Sequence, residues 1–243
     1  MKPGFLLILL WAALHPARAE RITFAVSTGS AMPMTAFEHD TLTAGLLKDM
    51  GDALARELHM EPVYMVLPRK RVEAALLSGQ ADLLCDLRPE WLDSKQWVWT
   101  EPVFSNNMTI VSRADTAPLA RLSQLNGQRV GTVLGYRYPE LEKRLGGAFE
   151  RDDAITDEQN TSKLLSGRFS YMMSNSLYYD YQRKVHPKGA MLNRAVFTIR
   201  QFDTYCALPP RGRLDPDKVN RAILTLRKRG DMQAIYERYR PSR

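Results

Sequence analysis

The sequence predicts an α/β protein built as two similar lobes. Strand-like and helix-like segments alternate from Arg21 to Cys85, the order that builds a parallel sheet. A helix–glycine–strand unit with Gly79 at its turn recurs with Gly167. Removal of an N-terminal leader of 19 residues leaves 224, enough for two units of about 100 residues each.

The leader is read first. Lys2 supplies a positive start, Phe5 to Leu14 an apolar run, and Ala17-Arg18-Ala19 a small-x-small cleavage site. This is a secretory signal peptide, too short to span a bilayer, which needs about 20 apolar residues. Cleavage after Ala19 sends the mature chain, starting at Glu20, to the periplasm. No cysteine lies near the cut to carry a lipid.

Arg21 to Ser27 is the first strand, and residues 28–33 are a loop of small residues. Leu46 to Leu58 is a helix with Leu46, Met50, Leu54 and Leu58 on one stripe. Glu61 to Leu67 returns as strand. Val72, Ala75 and Leu76 then mark a helix face, and Gly79 stops it in the left-handed conformation that glycine enters cheaply. Ala81 to Cys85 is a short apolar strand, placing Asp86, Leu87, Arg88 and Pro89 just beyond its carboxyl end. Open α/β sheets hold ligands at such ends. Met108 to Ser112 and Arg129 to Leu134 are strands, the second after the turn Asn126-Gly127. Pro139 opens a helix with Glu140 and Glu142 in its first turn. Asp157 to Ser166 is helical, and Phe169 to Met173 is a buried strand. Val196 to Leu208 is a strand broken by Pro209-Pro210, and two closing helices cover Asp217 to Leu226 and Asp231 to Tyr239.

The formal charge of +7 falls to +5 once Lys2 and Arg18 are removed with the leader. The densest basic run, Arg227 to Arg229, suits a solvated helix end, and secretion argues against nucleic acid as a partner. The two cysteines, Cys85 and Cys206, both lie in apolar runs. They are two buried thiols or one disulfide, and the sequence alone leaves both open. His39, His59 and His186 are scattered. No zinc-protease, nucleophile-elbow or phosphate-loop motif is present, and no cysteine pair has metal spacing. The expectation is a binding protein with no catalytic residues, no metal and no cofactor.

Three segments carry a family resemblance. Ala75-Leu76, Gly79 and Asp82, followed by Trp99 to Val103, resemble AL-x-x-G-x-x-D with F-S-x-P-Y. Leu122-Ser123, Leu125, Gly127 and Val130-Gly131 resemble the opening of a second lobe. Asn220, Ala222, Ile223, Leu226, Gly230, Ile235, Tyr236 and Tyr239 resemble a closing helix pair. Together they make the chain similar to the family 3 extracellular solute-binding proteins, the periplasmic receptors of polar amino-acid uptake. The resemblance implies a periplasmic-binding-protein-like fold, with two α/β lobes and a central cleft joined by two crossover strands. Lobe one would be residues 20–103 with 204–243, and lobe two residues 104–203. It also implies that the strand after the second crossover lies beside the strand of Cys85, making Cys206 its candidate partner.

Relatives of this kind clamp an α-carboxylate with an arginine before F-S-x-P-Y and hold the α-ammonium with an aspartate in the second lobe. Here Asp93 or Ser94 takes the arginine's place, Gly135-Tyr136-Arg137 replaces a small polar segment, and Ser174-Asn175-Ser176 stands where the aspartate is expected. The candidate ligand-binding residues are Arg69, Asp86, Arg88, Tyr136, Arg137, Tyr138 and Asn175. Arginine forks suit a carboxylate or phosphate, tyrosines an apolar body, and Asp86 and Asn175 supply polar acceptors. The resemblance implies a monomeric receptor that binds a small polar, carboxylate-bearing molecule such as an amino acid or related organic acid. It would pass this to a membrane ABC permease through a transient contact. The chain stops directly after the closing helices, which favours a free receptor. Two alternatives share the fold: a secreted lyase like the cyclohexadienyl or arogenate dehydratases, with Glu90 or Glu101 as acid, and an accessory periplasmic partner protein without a transport role.

Overall fold

Three parallel strands lie at each end of a nine-stranded sheet, and two long antiparallel strands join them. The structure is a computed structural model that describes residues 19–240. The predicted leader lies outside the described residues except for Ala19. The strands are β1 (Arg21–Ser27), β2 (Ala36–Glu38), β3 (Thr41–Ala44), β4 (Glu61–Leu67), β5 (Leu83–Leu87) and β6 (Val98–Trp99), then β7 (Phe104–Ser112), β8 (Arg129–Val133), β9 (Glu150–Ala154), β10 (Tyr171–Asn175) and β11 (Phe197–Leu208). The helices are α1 (Leu46–Glu57), α2 (Arg69–Leu77), α3 (Pro139–Leu145), α4 (Asp157–Leu165), α5 (Ser176–Val185), α6 (Pro216–Lys228) and α7 (Asp231–Tyr239).

The order across the sheet is β4-β1-β5-β11-β7-β10-β8-β9, with β6 paired to β11 and β2 with β3 as a separate hairpin. β7 and β11 are the crossover strands, antiparallel to each other and to β10 and β5 respectively. Each end of the sheet has its own core. In the first lobe, Leu46, Met50 and Leu54 on α1 are fully buried against Phe24 of β1 and against Ile223 and Ile235 of the closing helices. Its other face packs Val72, Leu76, Leu84 and Trp97. In the second lobe Leu141 and Val130 anchor one face, and Leu164, Met172 and Tyr178 the other. Each buried Leu or Ile contributes about 1.5–3 kcal/mol of hydrophobic free energy, so each lobe has the core of a domain.

Cys85 and Cys206 form a disulfide that ties β5 to β11. It sits at a β-bulge. Leu84 pairs with Ala207 and Leu87 with Tyr205, so Cys85 and Asp86 together face Cys206 alone. Asp86 takes the extra place with φ 60°, a conformation that aspartate tolerates better than most side chains. The sequence ended this strand at Cys85. Pairing beyond the bulge carries it to Leu87, so Asp86 lies within the strand and not in the loop after it.

Candidate functional site

The crossover strands bring the carboxyl ends of β1, β5 and β10 toward the starts of α3 and α4. A cavity of about 150 Å³ lies between them, lined from both lobes. Ser27, Ser30, Met34, Arg69, Asp86 and Trp91 contribute from the first lobe. Asn106, Tyr136, Arg137, Asp157, Met173 and Phe202 are among the contributors from the second. The walls are mostly apolar, and the polar groups are few.

The arginines do not present open forks. Arg88 is not part of the lining. Its buried guanidinium is paired with Glu90 at 2.6 Å and with Glu140 at 3.0 Å, and it packs on the rings of Trp91 and Phe202. Two carboxylates and two aromatic faces therefore occupy it, which corrects its assignment as a ligand contact. Since Glu140 is on α3, this pair joins the lobes. Arg69 and Arg137 do line the cavity. Arg69 donates to the Trp91 carbonyl at 3.0 Å and lies 3.8 Å from Glu73. Burial lowers its pKa, with Glu73 acting in the opposite sense. Arg137 pairs with exposed Asp93, the residue standing where relatives place their arginine.

Tyr136 and Tyr138 also line the cavity, and burial pushes both phenols up from their ordinary pKa. The Tyr138 hydroxyl accepts from the Val133 N–H at 2.9 Å, and Arg151 covers its ring at 5.1 Å. Asn175 reaches the cavity, but its side-chain oxygen caps α5 by accepting from the Tyr178 N–H at 2.9 Å and also accepts from Asn106 at 3.0 Å. Its acceptor is thus already engaged by the protein.

The two carboxylates in the lining are in a different position. Asp86 is half-buried, and its pKa is raised to about 7 by burial, with the Thr204 hydroxyl pulling weakly the other way. Asp157 is also half-buried and raised to about 7, by burial first and then by the charges of Asp86 and Glu158. Sequence reasoning missed Asp157, along with Asn106 and Phe202, as lining groups. One signal was available: Thr156 caps α4 by accepting from the Gln159 N–H at 3.1 Å, so the sequence T-D-E-Q marks a helix start, and helix starts face this cleft.

The lobes touch around the cavity. The Asp157 N–H donates to the Gly29 carbonyl at 2.9 Å. A Cβ on Gly29 would lie 3.2 Å from the Tyr136 ring and 3.3 Å from Val133, so only glycine allows this approach without movement. Gly135 has φ 81° and faces the stem of Arg69.

Among the described residues, no group of three or more His, Cys, Asp or Glu is placed to hold a metal ion, and no helix is long and apolar enough to cross a membrane.

The bacterial extracellular solute-binding proteins, family 3, match residues 22–242. No curated protein matches the chain. Among solved structures it is similar to the ancestral amino acid-binding protein AncCDT-1, a precursor of cyclohexadienyl dehydratase. That likeness has 18% identity and a TM-score of 0.77, covering 91% of this chain and 96% of that one. An ancestral arginine-binding protein bound to glutamine is 21% identical, with a TM-score of 0.72 over 91% and 98% of the two chains. The amino acid ABC transporter substrate-binding protein AbpA from Streptococcus pneumoniae, bound to L-arginine, is 16% identical, with a TM-score of 0.72 over 90% and 94%. At these identities the likeness establishes the fold.

Proposed function

We propose, because this chain belongs to family 3 of the bacterial extracellular solute-binding proteins, that it is a periplasmic receptor for a small polar solute of amino-acid type and delivers it to an ABC permease. The lobes are residues 20–103 with 204–243 and residues 104–203, and they close on the solute as rigid bodies about β7 and β11. Residues 1–19 are the leader removed on export. The reading rests on one observation: a cavity lined from both lobes, at strand carboxyl ends and helix starts. A two-lobed clamp holds its guest there.

A thermal-shift screen of amino acids, amines and organic acids tests the reading. A ligand at 100 times its Kd adds about 2.7 kcal/mol, roughly 5–10 °C for a chain of this size. A screen in which no solute stabilises the protein counts against it.

A second reading draws on Asp86 and Asp157. Carboxylic acids whose pKa is raised to about 7, lining a mostly apolar cleft, are suited to donate a proton to a leaving hydroxyl. A lyase of this fold would use them rather than Glu90, which is paired with Arg88, or exposed Glu101. Turnover of prephenate or arogenate by the purified protein would promote this reading over the receptor.

A further inference from the structure

The charges around the cavity do not balance. Arg69, Arg88 and Arg137 each have a protein partner, and Arg151, beside Tyr138, is paired with Asp153 at 2.8 Å. Asp86 and Asp157 line the same cavity from opposite lobes, and neither forms an ion pair among the described residues. Burial in a mostly apolar lining costs both carboxylates hydration, which for Asp86 a bond from the Thr204 hydroxyl offsets in part. An arginine-gripped acid would bring further negative charge to this place, whereas an ammonium group would supply the missing counter-charge and donate hydrogen bonds to both carboxylates.

We propose that the cavity takes a compact organic cation, a primary amine or short diamine of roughly six to eight non-hydrogen atoms, held between Asp86 and Asp157; the size follows from a cavity of about 150 Å³, the volume that accepts one benzene. This rests on the reading of the cleft as a solute site and narrows its guest. Methionine and aromatic walls suit the alkyl body of such a molecule. Arg69 and Arg137, the arginines of the lining, already bond to the Trp91 carbonyl and to Asp93, so an α-carboxylate would have to compete for them.

The pH behaviour supports the same assignment. Both carboxyls have their pKa raised to about 7. The Thr204 hydroxyl of β11 bonds to Asp86, and Tyr236 of α7, Tyr136 and Asp157 are within its electrostatic reach. Asp86, Glu158 of α4, Tyr136, Tyr138 and Tyr178 of α5 are within that of Asp157. The phenols are all raised and stay neutral, so the two carboxyls govern binding between pH 5 and 8. A cation binds their ionised forms, so its affinity rises with pH up to about 7, by up to about tenfold per pH unit for each proton released, and then levels off. An anionic guest would show the reverse.

Titration calorimetry on the mature chain at pH 5, 6, 7 and 8, with 1,4-diaminobutane, n-pentylamine, succinate and L-arginine, tests this. The expected result is that at least one amine binds, at least tenfold tighter than succinate and tighter than the longer arginine, with affinity rising from pH 5 to 7. Asp86→Asn and Asp157→Asn, both nearly isosteric, each lose about tenfold or more of amine affinity. The diamine and monoamine arms distinguish two cationic ends from one. Succinate or an amino acid binding tighter than either amine overturns the inference and leaves the receptor reading intact. So does affinity that falls as pH rises, or amine binding indifferent to both substitutions. If neither these probes nor the broader solute screen binds, the receptor reading fails and the inference fails with it.

Discussion

The backbone N–H of Asp157 donates to the carbonyl of Gly29 at 2.9 Å. The residue that brings a carboxylate into the cavity from the second lobe is thus also a main-chain link to the first. Gly29 is buried, and the Tyr136 ring lies where its side chain would be. The lobes therefore meet at a position where a Cβ would be crowded, and Tyr136 or Val133 would have to give way by a few tenths of an ångström.

Gly29→Val is expected to weaken ligand binding about tenfold, the equivalent of overpacking by 1–3 kcal/mol, and to leave the melting of the ligand-free protein nearly unchanged. Calorimetry alongside a thermal melt checks this. A large loss of stability without ligand would show that Gly29 serves the fold and not closure.

Stability should fall with rising pH across the range set by Asp86 and Asp157. Their native pKa of about 7 lies above the unfolded value of 3.8, so between these limits the native state holds protons the unfolded chain has released. Their contribution to the unfolding free energy is then greatest below about pH 4 and declines toward pH 7. The decline is at most about 4 kcal/mol per group at 1.36 kcal/mol per unit. The two titrate as a pair, so the steps merge. Urea melts at pH 5 and pH 8 measure it, and Asp157→Asn should flatten the slope. An unchanged slope in that variant would remove Asp157 from the account.

Arg88→Met should destabilise the protein by about 2–3 kcal/mol. That is less than the 3–5 kcal/mol typical of a broken buried pair, because Arg200 stays 3.2 Å from Glu140 and Glu90 is exposed. Adding Glu140→Gln should recover part of the loss, and a double-mutant cycle reads the coupling. Strictly additive losses would mean that the two residues do not act as a pair.

Reducing the Cys85–Cys206 bond, or replacing both residues with alanine, should cost about 2–5 kcal/mol, since the bond closes a separation of 121 residues. A melt with and without reductant checks this. The loss should fall on ligand affinity as well, because the bond lies next to Asp86.

Much of the fold was readable in the sequence, because the signals were local. The α1 stripe, the glycine after α2, Pro139 at the start of α3 and the closing helix pair each name their own element. Strand β9 was missed because its residues, ERDDA, are almost all polar, as suits a sheet edge. Helix α5 follows β10 with no intervening loop, which hid its start. Of the predicted site residues, Arg69, Asp86, Tyr136, Arg137, Tyr138 and Asn175 line the cavity. What could not be read was which groups the protein itself satisfies. Arg88's pairing with Glu140 spans 52 positions. Asp157 reads in the sequence as an ordinary acid in a helix's first turn, a place the dipole favours. Counter-charge balance depends on distant neighbours, so the preference for acid or amine emerges only in three dimensions.

The bulge at Asp86 resets the inside–outside parity of its strand, because one extra residue shifts every side chain beyond it to the opposite face. Deleting a residue there removes either the carboxylate itself or the disulfide cysteine, since the bulge consists of Cys85 and Asp86. Any transplant of this cavity into another protein must carry the irregular pairing with it, since Asp86 copied into a regular ladder would point somewhere else.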